Sequence, residues 1–117
     1  GIPEMPVKNI SFKNINLKGR KGIEIIDAKN VQLDNVSAGN QSGSIASVSY
    51  SDDINFNNFH VTGVDESVVP IIFTDVVNSE IMNFKSDLKG SLVHISGNSE
   101  NIRFDKSIPE DKIKRDR

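Results

Sequence analysis

A seven-residue phrase returns five times along this 117-residue chain: NISFKNI (9–15), NVQLDNV (30–36), DINFNNF (53–59), NSEIMNF (78–84) and NIRFDKS (101–107). Four asparagines, Asn14, Asn35, Asn58 and Asn83, hold the same place in it at intervals of 21, 23 and 25 residues. Self-similarity at such a period marks a solenoid, in which each repeat is one coil stacked on the next and no coil can bury its apolar face alone.

Aligned on one another, the phrases give columns. The first is polar: Asn9, Asn30, Asp53, Asn78 and Asn101. Ile10, Val31, Ile54, Ser79 and Ile102 follow, then Phe12, Leu33, Phe56, Ile81 and Phe104, with polar residues between them. This alternation is the period of a strand with one buried face. After the asparagine column come Ile15, Val36, Phe59 and Phe84. A second strand is expected in each repeat, at GIEII (22–26), SIASVSY (44–50), VVPIIF (68–73) and SLVHIS (91–96), reached through loops of variable length. The reading is an all-β parallel β-helix of four to five coils, one domain over 1–117 with the coils in 7–107.

Coils about 4.8 Å apart bring each column into direct stacking. The two asparagine columns, with Asp53 as the one carboxylate, are then expected to form ladders buried at the corners between strands. An amide is both donor and acceptor on a short stem, so each can bond the next.

Composition agrees. Ile (15) and Val (11) far outnumber Leu (4), which suits pleated strands, and Asn (13) and Ser (14) suit turns. A net charge of −2 speaks against strong attraction to nucleic acid or anionic membrane. With no cysteine, disulfides, thiol catalysis and cysteine-bound metal are excluded, and nothing in the chain suggests a cofactor. No apolar run approaches a membrane span.

Few residues invite a chemical role. Asp52 and Asp53 are adjacent carboxylates, a residue type able to do acid and base work. Asp53 belongs to the first ladder column, so a turn carboxylate is the simpler account. Asp65 and Glu66 sit in the longest loop, where solvation explains them as well as binding does. His60 and His94 alternate with apolar neighbours, so both are read as outward surface side chains without a third ligand for metal. Asn-x-Ser triplets begin at Asn9, Asn35 and Asn40, and the first two are read as ladder positions closed to glycosylation. Tyr50 is the sole tyrosine and there is no tryptophan, which argues against an aromatic sugar-stacking platform. From Ile108 onward the repeat stops: Pro109, Glu110 and Asp111 read as the start of a short helix capping the open end with Ile108 and Ile113, or as the beginning of a polar tail.

The stretch PEMPVKNISFKNINLKGRKGIEIIDAKNVQLDNV, beginning at Pro3, closely resembles the C-terminal coils of glycoside hydrolase family 28, the polygalacturonase-like enzymes. The likeness runs less sharply through 7–107. It implies a right-handed parallel β-helix and a parent enzyme that hydrolyses pectin-type polysaccharide with inversion, outside the cell or in the periplasm. The family's Asn-Thr-Asp, Gly-His-Gly and Arg-Ile-Lys motifs do not occur here, so no residue takes a catalytic role from it. The expectation is therefore a structural C-terminal portion whose polysaccharide partner is held by upstream coils. The alternative is a free-standing binding or interaction module, pairing with a second copy through exposed coil ends.

Overall fold

A computed structural model describes residues 7–18, 23–39, 45–62, 69–87 and 89–116, with the side chains of Val7, Leu17 and Lys18 left aside. Eight strands form a single sheet that winds into a parallel solenoid: β1 (Val7–Lys18), β2 (Ile23–Ile26), β3 (Ala28–Gly39), β4 (Ala46–Thr62), β5 (Ile71–Ser86), β6 (Val93–Ser96), β7 (Glu100–Phe104) and β8 (Ile113–Arg115). All pairings are parallel and link elements one coil apart, β1 to β3, β3 to β4, β4 to β5 and β5 to β7 on one side. On the other side β2 pairs with β4, β5 with β6 and β6 with β8.

The register is the one the repeat spacing requires. Ile10 lies beside Val31 and Val31 beside Ile54, while Phe12, Leu33, Phe56, Ile81 and Phe104 form one continuous row. A shift of one residue would turn every apolar side chain outward, so burial of one face specifies this pairing strongly. Val31, Leu33, Val36, Ile54, Phe56, Phe59, Phe73 and Ile81 are wholly or almost wholly shielded from solvent. The rings of Phe56 and Phe73 stack at 6.1 Å, those of Phe59 and Phe84 at 5.7 Å, and Phe56 meets Phe59 edge-on at 5.3 Å. Each such contact adds about 0.5–1.5 kcal/mol to area burial.

Ser79 stands in an apolar column yet is fully buried. Its hydroxyl accepts from the Ile54 N–H at 2.9 Å and donates to the Val77 carbonyl at 3.0 Å. Ser51 repeats the arrangement with the Ala28 N–H and the Ser49 carbonyl, and Ser99 with the Val76 N–H and the Ser96 carbonyl. Ser107 likewise accepts from the Phe84 N–H at 2.8 Å. These hydroxyls hold backbone N–H groups of the preceding coil at the bends, where an orphaned donor would cost about 1–3 kcal/mol.

The C-terminal helix expected from Pro109 is a single 3₁₀ turn, Glu110–Lys112. It stops there because the chain returns to the sheet: Ile113, Lys114 and Arg115 pair with Val93, His94 and Ile95. The segment is thus another rung and not a free polar tail. Ile108 is 3% exposed within the core, and Ile113 packs against it.

Candidate functional site

Among the described residues, the twelve non-glycine residues with positive φ fall into three columns. Two are the polar columns read from the sequence, Asn9, Asn30, Asp53, Asn78 and Asn101, and Asn14, Asn35, Asn58 and Asn83. The third is Asp27, Tyr50 and Asp75, continued by Gly97 at φ 70°, a corner that the repeated phrase does not announce. Each column is a corner at which a left-handed residue bends the strand. Asn and Asp tolerate that conformation best after glycine. The signal for the third corner was Asp27 and Asp75 at matching offsets, hidden by Tyr50 between them.

The left-handed conformation also decides where these side chains go. The asparagine columns were expected to be buried; instead Asn9, Asn14, Asn35, Asn58, Asn78, Asn83 and Asn101 are exposed, and Asn30 and Asp53 half-buried. The ladders run along the outer edges of the corners. Asn30 donates to Asn9 at 2.7 Å, Asn35 to Asn14 at 2.6 Å and Asn101 to Asn78 at 2.8 Å.

Both ladders break at the middle coil. An ionised carboxylate accepts but cannot donate, so Asp53 has no bond to pass to Asn30. Asn78 donates instead to Asp52 at 3.3 Å, and Asp53 accepts from Asn55 at 3.0 Å. The Asp52–Asp53 pair is accordingly engaged with asparagines at a corner. In the second ladder Asn83 donates to Asn57 at 2.8 Å, bypassing Asn58. Neither polar atom of the Asn58 side chain has a partner among the described residues.

A polar recess of about 170 Å³ opens at this break, lined by Asn35, Ser37, Asn58, His60, Asn83 and Lys85. Buried Phe59 also borders it. Ser37, His60 and Lys85 are register partners in three successive coils. His60 is exposed, as its alternation predicted.

The remaining candidates are scattered. His94 is half-buried and shares a 2.8 Å contact with Asp116, a pairing that only the return of β8 creates. Asp65, Glu66 and Asn40 lie outside the described residues. Asn9 and Asn35 are exposed, contrary to the buried placement expected, but their amides are engaged in the ladder. Tyr50 is 62% exposed at φ 51°, a conformation that costs a bulky residue about 1–2 kcal/mol. Among the described residues no group of three His, Asp or Glu side chains is arranged to hold a metal.

Asp105 is the described carboxylate whose acidity is clearly altered. The Ser107 hydroxyl, and then the N–H groups of Asn83 and Ser107, hold its carboxyl below the usual range against the opposing effect of burial.

No protein-family model matches the sequence, and no curated protein is significantly similar to it. Among solved structures the chain is similar in fold to a candidate glycosyl hydrolase from Parabacteroides merdae, with a TM-score of 0.65 and 12% identity. The match covers 70% of this chain and 36% of that one, so this chain spans about a third of its structural neighbour. At that identity the likeness is one of fold: a β-helix of the kind found in a glycosyl-hydrolase-like protein.

Proposed function

We propose that this chain is the C-terminal part of a longer, secreted or periplasmic β-helix hydrolase of the polygalacturonase type, acting on pectin-type polysaccharide. Its own coils extend and close the solenoid, and the polysaccharide is cleaved on coils upstream. The observation carrying this reading is the fold likeness to about a third of a longer candidate glycosyl hydrolase. The resemblance of the stretch from Pro3 onward to polygalacturonase coils points the same way. A protein extended upstream through the missing motifs should release reducing ends from polygalacturonate or rhamnogalacturonan, and the 117-residue chain alone should release none. Absence of product from both polymers with the extended protein would overturn the pectin assignment.

A second reading, a free-standing module that pairs end to end, has one observation in its favour. Among the described residues β1 ends the sheet, and on it Phe12 is 42% exposed while Ile10 and Ile15 are only half-buried. Such an apolar edge favours a further rung, supplied by more chain or by a second copy. Light scattering on the 117-residue chain separates the two. A stable dimer supports the module, and a monomer removes pairing through this end.

A further inference from the structure

We propose that the recess at the broken asparagine ladder binds a sugar carrying a carboxylate, a hexuronate unit, with Lys85 and Asn58 as its principal contacts. The choice of a sugar rests on the polysaccharide reading above; the preference for an anion rests on the recess itself.

Lys85 carries the full positive charge in the lining, and Asp105, which accepts from the Asn83 N–H, is not among the lining residues. Lys85 and His60 stand in adjacent coils on the outer face, and the lining residues include no carboxylate. Neither residue has an ion-pair partner among the described residues. A lysine ammonium offers three donors and a full charge to a carboxylate.

The ladder break supplies the rest. Along the intact parts of the columns each amide nitrogen donates to the oxygen of the preceding coil. Asn58 makes no such bond, so its N–H groups and its carbonyl oxygen are both uncommitted, and so is the Asn35 carbonyl oxygen that would have received it. Asn35 keeps its own donor on Asn14, and Asn83 keeps its donor on Asn57. The recess thus presents unclaimed acceptors beside its donors. A bare anion satisfies donors only. A carboxylate borne on a hydroxylated ring satisfies both, its charge at Lys85 and its hydroxyls at the Asn35 and Asn58 oxygens. The volume exceeds what one or two waters fill and suits a single ring. Because the left-handed corners fix the backbone beneath Asn35, Asn58 and Asn83, the site is already shaped before a ligand arrives.

The test is a titration of the full 117-residue chain with galacturonate, followed by amide and histidine resonances in two-dimensional NMR. The expected result is saturable movement of the Asn58 and Asn35 side-chain amides and the His60 ring, with a dissociation constant on the order of millimolar. Galactose, acetate and inorganic phosphate should each bind at least about tenfold more weakly, as should K85A towards galacturonate, while K29A on another face should match the parent. N58D is the decisive variant. Asp53 shows that a corner of this kind accepts aspartate, so the fold is retained while a negative charge enters the gap, and binding should vanish. Equal response to galactose would overturn the anion preference. Equal response to acetate or phosphate would overturn the sugar, and no movement at the recess up to about 100 mM galacturonate would overturn the site. Loss of the pectin assignment through the reducing-end assay leaves this binding result separately readable.

Discussion

The two ends of the solenoid are built from the same repeat and finished differently. At the β1 end the row of Ile10, Phe12 and Ile15 meets no further rung among the described residues, and Phe12 is 42% exposed. At the other end the equivalent row, Ile102 and Phe104, is half-buried and packs against the core that includes Ile108. Ile108 is buried, β8 pairs with β6, and Asp105 and Ser107 take up N–H groups of the coil beneath. A parallel stack exposes an apolar row and a line of unpaired backbone groups wherever it stops. The C-terminal end meets part of this with buried Ile108 and the added rung β8, and the β1 end has neither among the described residues.

Ile108→Ala should show the contrast most strongly, destabilising the chain by about 2–5 kcal/mol in chemical denaturation, because it opens a cavity under the cap. A loss under ~0.5 kcal/mol would mean that the cap is ornamental to stability. Gly97→Ala should cost about 1–3 kcal/mol. At φ 70° a Cβ there would clash with Asp75 Oδ1, the carboxylate oxygen that accepts from the Asn98 N–H at 2.6 Å. Retention of full stability would show that this corner relaxes freely.

Acid should act next and locally. A carboxyl held below its unfolded-state pKa of about 4 stabilises the fold above that pH, and the contribution fades as pH falls through the lower folded value. Hydrogen exchange at the amides of Asn83 and Phe84 should therefore accelerate below about pH 4, beyond the change seen in the central coil, and Asp105→Asn should remove the difference. Uniform acceleration along the solenoid would dissolve the special status of this end. A smaller effect on stability than at Ile108, about 1–2 kcal/mol, is expected for Phe12→Ser, since the ring is already 42% exposed. Its readout is self-association: if the β1 edge is sticky, this variant should be the more monomeric in sedimentation, and an unchanged profile would show the edge to be inert.

Much of the coil architecture was legible in the residues. Ile10, Val31 and Ile54, or Phe12, Leu33 and Phe56, occur at offsets that can bury one face only in the pairing observed. The returning strands at 23–26, 46–49, 71–74 and 93–96 were legible for the same reason. The recess was not. Nothing in DINFNNF distinguishes Asn57, which receives the Asn83 amide, from Asn58, which does not. The serines at 51, 79, 99 and 107 were equally silent, since a hydroxyl reads as a turn former until the N–H it serves is located. Asp116 and His94 meet only because β8 rejoins the sheet.

By itself, then, the order of amino acids determined the period, the columns and the parallel stacking, because apolar burial along a strand depends on spacing alone. Which way the asparagines point, inward as first expected or outward as found, was decided by the left-handed backbone at each corner. A residue type can favour that conformation, but only the bend it makes within the coil sets the direction of its side chain.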